Sequence, residues 1–174
     1  NYTGKSKWGA AHMRYLRELV MPHDAQKIVL EEYMQAIDTG ITRVARLVER
    51  MKKLLEGWEW EPVVRALMAC RGFQEVAAMT VISELGDLRR FKHPRALMAF
   101  LGLVPSEGSS GPKRRQGSIT KCGNAHCRWM LVECAQHSRK APKIGSALTT
   151  RQDGQGKAVK ELSWRMQNRL HNRY

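Results

Sequence analysis

Eight apolar residues spaced alternately four and three apart constrain this chain more than anything else in it. They are Leu30, Met34, Ile37, Ile41, Val44, Val48, Met51 and Leu55. Only a continuous α-helix places such a series on one face, and the strict alternation is a heptad seam. Pro22 precedes the run and Asp24 is a plausible N-cap, so residues 23–57 are predicted to be one long helix. Gly40 lies inside it, at a cost of about 1 kcal/mol relative to Ala. A narrow apolar stripe needs a second helix to cover it. Either the seam meets that of another copy, a coiled coil building a homo-oligomer (dimer or tetramer), or the helix folds against its own domain. The self-associated arrangement is the preferred reading.

The second constraint is charge. The 174 residues hold 30 Lys+Arg against 16 Asp+Glu, a net charge of +14. Such an excess repels itself unless it meets a polyanion, and nucleic acid is the default partner. Apolar residues make up 43%, enough for a genuine core. No apolar run is long enough to span a bilayer, so no membrane role is expected. Four cysteines, Cys70, Cys122, Cys127 and Cys134, in a Met- and Lys-rich chain read as reduced cytosolic thiols. Cys122, His126, Cys127, Cys134 and His137 cluster in sequence, but their spacing fits no standard zinc knuckle, and Cys127 and Cys134 share one helix face. Buried thiols are the better reading, and no metal site is expected here.

Along the chain, residues 1–22 are basic and aromatic and read as the trailing end of something upstream. After the long helix, Trp58, Trp60 and Pro62 open a compact module. Helices are predicted over 62–70, 74–84, from His93-Pro94 to about Phe100, and from about Asn124 to His137. Gly145, Gly154 and Gly156 mark a flexible linker across 144–156, followed by a basic helix over about 157–172. Strand signals are nearly absent, so the expected fold is all-α: a long coiled-coil helix, then a small helical domain with a helix-hairpin-helix-like turn and a basic Ser/Gly loop.

Three constellations carry possible chemistry. Arg71-Gly72-Phe73 joins two predicted helices. A helix-hairpin-helix points backbone N–H groups at a phosphate through such a turn, although the usual second glycine is replaced by Gln74, and a plain αα-hairpin is an equal reading. From Pro112 to Lys143 there are eight cations, including Lys113, Arg114, Arg115, Lys121 and Arg128, against one acid, Glu133, a local net charge of +7. Binding through these groups should weaken steeply with salt. The third is the cluster Ser106, Ser109 and Ser110, with Ser118 and Thr120 beyond. A serine nucleophile needs exposure and cationic stabilisation of the developing charge; by composition alone the cluster is ordinary loop material.

The order of motifs is more specific. Gly72-Phe73, Ala77-Ala78, Glu84-Leu85-Gly86-Asp87, Phe91, Gly102-Leu103-Val104-Pro105, Ser109-Ser110-Gly111 and Ile119-Thr120-Lys121-Cys122-Gly123-Asn124 leading into Arg128 resemble the C-terminal transposase domain of the IS one-ten family of bacterial insertion sequences. These are DEDD-type serine transposases, related to the Piv invertases. The resemblance implies DNA recombination. It implies a domain resembling the resolvase RuvC, missing here, that holds divalent metal (magnesium) on four acidic residues, with none held by this fragment. Residues 1–22 would be the tail of that domain, 23–57 the coiled coil, 58–143 the transposase domain and 144–174 a linker and basic helix. The catalytic serine corresponds to Ser110, with Ser109 adjacent and still open. Nucleic-acid contacts are expected at Gly72, Lys113, Arg114, Arg115, Lys121, Asn124 and Arg128; Cys122 stands where many relatives carry a basic residue. The partners implied are DNA and, in some members, a structured guide RNA; the location implied is the bacterial cytoplasm, at the nucleoid. The fragment alone is expected to be inactive in strand exchange. The alternative reading is a non-catalytic nucleic-acid-binding and oligomerisation module.

Overall fold

A computed structural model describes residues 2–108 and 115–174. The chain divides into two compact units, the first running to Met51 and the second from Lys52 to Tyr174. Eight α-helices are present among the described residues, so the predominantly helical expectation holds. None of them is long and apolar enough to cross a membrane.

The first unit consists of α1 (Ala10–Glu18) and most of α2 (Asp24–Leu55). The heptad seam does lie on one continuous helix. Met34 on that seam and Met13 on α1 are buried. Arg17 Nη2 reaches both carboxylate oxygens of Asp38, at 2.8 and 3.1 Å. Both side chains are about half exposed, and such pairs contribute roughly 0–1 kcal/mol. An open groove of about 800 Å³ is lined by Leu16 on α1, Leu19 just beyond it, and Leu30, Met34 and Thr42 on α2. Further along the seam, Ile41 and Val44 are 60% and 61% exposed.

The second unit is built around a packed pair, α3 (Glu61–Met68) and α4 (Glu75–Leu85). Pro62 sits in the first turn of α3, where its missing N–H costs nothing. Glu61 closes that end, accepting from Gly57 N (3.1 Å) and Arg65 Nε (2.7 Å). Helix α4 is the centre of the core: Ala78, Met79, Val81, Ile82 and Leu85 are all buried. Gly86, at φ 62, ends it. After a 3-10 turn (Leu88–Arg90), α5 (Pro94–Phe100) is capped by His93, whose Nδ1 accepts from Ala96 N at 3.1 Å. The Arg90 guanidinium lies over the rings of both Phe91 and Phe100, 4.6 and 4.5 Å from their centroids. Helix α6 (Ala125–Gln136) packs against α4, and its Cys127 and Cys134 are buried. Helices α7 (Ser146–Gln152) and α8 (Lys157–His171) complete the unit.

Two features depart from the sequence reading. A two-stranded antiparallel ribbon, β1 (Pro105–Glu107) with β2 (Gln116–Ile119), stands inside what was read as loop 103–123. Its strands are exposed throughout, so no buried face imposes the alternation from which strands are recognised. Residues 144–156, read from their glycines as a flexible linker, contain α7, whose Leu148 and Gln152 are buried. Gln152 Nε2 donates to Ala69 O (3.0 Å) and to Ser163 Oγ (3.2 Å), and Ser163 Oγ donates to the same carbonyl at 2.7 Å. The sequence signal is weak because this short helix buries one apolar residue, Leu148, and a glutamine rather than an apolar stripe.

The α3–α4 turn is held from two sides. Arg151 Nη1 donates to Phe73 O at 2.8 Å, and Arg71 Nη1 to Ala141 O at 2.7 Å. Gly72, at φ 94, faces α6 so closely that a Cβ there would collide with the Cys134 carbonyl oxygen. Its glycine is thus accounted for by helix packing. Gly72→Ala combines left-handed strain with backbone overlap and should destabilise the chain by about 2–5 kcal/mol. Urea unfolding measures this; a loss below about 1 kcal/mol would contradict the packing described.

Candidate nucleic-acid interface

Of the residues expected to act on or bind nucleic acid, Ser109, Ser110, Lys113 and Arg114 lie outside the described residues. Their chain neighbours are placed. Gly108 N donates to Arg115 O at 3.0 Å, so the residues on either side of 109–114 are paired. The ribbon then runs inward with Glu107 opposite Gln116 and Pro105 opposite Ile119, with an irregularity between these pairs. Gly117 faces Ser106: a Cβ on that glycine would lie 2.5 Å from the Ser106 hydroxyl.

The base of the ribbon is fixed by backbone. Thr120 N donates to Val104 O (2.9 Å) and Lys121 N to Gly102 O (3.1 Å). Lys121 adopts φ 57, a left-handed conformation in which few side chains other than Gly and Asn are found. Here two segments cross without side chains between them. A Cβ on Gly102 would meet the Cys122 carbonyl, and one on Gly123 the Phe100 carbonyl. The Gly102-Leu103-Val104-Pro105 turn and the Lys121-Cys122-Gly123 turn form a clasp at the foot of the ribbon.

Asn124 secures this clasp to the core. Its Oδ1 accepts from Cys127 N (2.8 Å), capping α6, while its Nδ2 donates to Glu84 Oε2 at 2.6 Å. The other Glu84 oxygen lies 2.8 Å from His126 Nδ1; a carboxylate only accepts, so Nδ1 carries the proton and donates. Arg128, one turn into α6, donates from Nη1 to Leu101 O at 2.8 Å. Asn124 and Arg128, both expected to contact nucleic acid, are therefore engaged in holding the fold, and both are half-buried. Arg115 and Lys121 are exposed beside the ribbon. Glu84 and His126 were missed as site residues. Glu84 stands forty residues from Asn124, and only the packing of α4 on α6 brings the two together.

The electrostatics follow from these bonds. Hydrogen bonds from Asn124, and then from His126, hold the Glu84 carboxyl below the usual carboxylate range. Burial pushes the Cys127 thiol up to about 11 and raises that of Cys134 as well. Both stay protonated at neutral pH and are poor nucleophiles. Among the described residues no group of three His, Cys, Asp or Glu side chains converges to hold a metal ion.

Because the folded pKa of Glu84 is depressed, its contribution is present above the ordinary carboxylate pKa and fades as pH falls through the lowered folded value. Glu84→Gln keeps an acceptor for Asn124 but loses the charge. It should lower the melting temperature at about pH 7, and the deficit should shrink as pH falls through the lowered folded value. Thermal melts across an acid pH series test this; a deficit that never narrows would show that the charge is irrelevant.

Comparison with known proteins bears on the same segment. Residues 64–149 match the sequence profile described as "Transposase IS116/IS110/IS902 family". The chain is 38% identical over 173 residues to "Putative transposase y4qE" of Sinorhizobium fredii, a match covering 99% of this chain and 41% of that protein. It is 32% identical over 108 residues to "Probable family 20 transposase" of Pseudomonas aeruginosa, covering 62% of this chain and 31% of the relative. Over 84 residues it is 34% identical to "Transposase for insertion sequence element IS1111A" of Coxiella burnetii, covering 45% and 23% respectively. The chain thus spans about two fifths of the length of the first of these relatives. The clasp, the ribbon, Glu84, Asn124 and Arg128 all fall inside residues 64–149, the stretch that matches the IS116/IS110/IS902 transposase profile.

Proposed function

We propose that this chain is the nucleophile-bearing, nucleic-acid-binding part of an insertion-sequence transposase that cleaves and exchanges DNA strands. The observation that carries the reading is the ribbon. It is clasped by backbone to a packed helical core, and it flanks a segment that contains Ser109, Ser110, Lys113 and Arg114. The transposase names of the relatives point the same way.

In this reading Ser110 Oγ, or its neighbour Ser109, attacks a DNA phosphorus. A phosphoserine ester forms, one bridging P–O bond breaks, and a deoxyribose oxygen leaves with a proton. Attack by a deoxyribose hydroxyl of the recipient strand on the ester reverses these changes and restores the serine. Lys113, Arg114, Arg115 and Lys121 stabilise the charge that builds on the phosphoryl oxygens. Divalent metal is assigned to carboxylates elsewhere in the full protein. DNA is the substrate, and a structured RNA from the same element is a candidate guide. The seam of α2, open at Ile41 and Val44, is the surface assigned to self-association.

The Asn124 and Arg128 geometry refines the binding set. Arg115 and Lys121 are the described cations assigned to phosphate, while Asn124 and Arg128 act by holding the ribbon.

The test uses the full-length protein with its element DNA, any element-encoded RNA and magnesium. Wild type should give a covalent protein–DNA adduct on a denaturing gel, and Ser110→Ala should abolish both adduct and recombination while leaving DNA binding in place. Loss in Ser109→Ala alone would move the nucleophile by one residue. Wild-type recombination persisting in both variants would remove the serine mechanism.

A further inference from the structure

Helix α8 has two unlike faces. On the inner face Ser163 and Gln167 are fully buried. Ser163 Oγ donates to Ala69 O at 2.7 Å, and Gln167 Oε1 accepts from Lys143 N at 3.2 Å. At 100° per residue, Arg165 and Arg169 stand on the opposite side of the helix, one turn apart, and both are exposed. Arg173 follows in the closing turn, where its N–H donates to Leu170 O at 3.2 Å, and it is exposed as well.

A solvated basic helix normally interleaves acids among its cations. This one does not. The single acid after Lys157 is Glu161, which already faces Lys157 at 3.9 Å, and residues 162–174 contain none. Among the described residues Arg165, Arg169 and Arg173 form no ion pair or side-chain hydrogen bond. Like charges one turn apart repel. A fourth guanidinium joins them where α8 ends: Arg139 lies over the Tyr174 ring at 5.3 Å, and the Tyr174 hydroxyl donates to Gln136 Oε1 at 2.8 Å. All four are arginines, whose planar forks match phosphate oxygens. Trp164, on the flank of the helix, is 43% exposed and offers a ring on which a base can stack.

We infer that the outer face of α8, with Arg165, Arg169 and Arg173 beyond the matched residues 64–149 and Arg139 within them, is a second nucleic-acid contact that grips the phosphodiester backbone. The inference rests on the reading of the chain as a nucleic-acid-binding domain, but it places a contact where that reading assigned none. Because the inner face of the same helix holds the carbonyl of Ala69 at the α3–α4 turn, a strand bound here is fixed to the core that carries the ribbon. The chemistry is shared by duplex DNA and by folded RNA, and the experiment separates them.

The test compares the 174-residue chain with the triple variant Arg165→Gln/Arg169→Gln/Arg173→Gln and with the loop variant Lys113→Gln/Arg114→Gln/Arg115→Gln. Each is titrated against random-sequence duplex DNA and a hairpin RNA of equal length, across a series of salt concentrations. The triple variant should keep the parent circular dichroism and melting temperature. It should bind at least one probe about tenfold or more weakly, with a salt slope shallower by about two to three. The probe that suffers more identifies the bound polymer. Parent affinity and slope for both probes in the triple variant would overturn the inference. If only the loop variant loses binding, the inference fails and the proposed function stands; if the parent chain binds neither probe, both fail together.

Discussion

The hydrogen bonds on the Glu84 carboxylate hold this structure's functional end together. Helix α4 is the buried centre of the second unit, and Glu84 lies near its end. Through Asn124 the carboxylate fixes the start of α6, and through His126 it adds a second bond one step along that helix. Asn124 is also the residue at which the Lys121-Cys122-Gly123 turn ends, so the clasp with Gly102 is anchored to the core by one amide. Remove that anchor and the ribbon is left as an exposed two-stranded hairpin, a structure with little stability of its own in water.

The placement of the cations divides them by task. Arg71, Arg128 and Arg151 point inward and donate to backbone carbonyls of Ala141, Leu101 and Phe73. They are substitutes for secondary-structure bonds where turns would otherwise leave acceptors unmet. Arg115 and Lys121 flank the ribbon, and Arg165, Arg169 and Arg173 face outward on α8. A net charge of +14 therefore overstates the cationic surface available to a ligand, because part of it is committed to the fold.

Much of the helical framework was legible in the sequence because local chemistry specified it. The seam from Leu30 to Leu55 does lie on one helix, and Pro94 and Asn124 begin helices where their capping geometry predicts. The ribbon was not legible, since both its strands are exposed, nor was α7, whose buried polar residue is Gln152. At the site, sequence identified Asn124 and Arg128 as notable, but their partners within the fold were not legible in it. Their partners, Glu84 and the Leu101 carbonyl, are 40 and 27 residues away. Gly72 teaches the same point: a glycine in a turn can answer to a phosphate or to an approaching backbone, and here the Cys134 carbonyl stands in its way.

The central claim is that the ribbon is held rigidly on the core by the clasp beneath it. Amide hydrogen exchange read residue by residue tests this most directly, at Thr120 and Lys121, whose N–H groups bond to Val104 O and Gly102 O. The account predicts that both exchange slowly, within about tenfold of the amides in the buried part of α4. Exchange of Thr120 and Lys121 at the rate of a free peptide, with α4 protected, would contradict it.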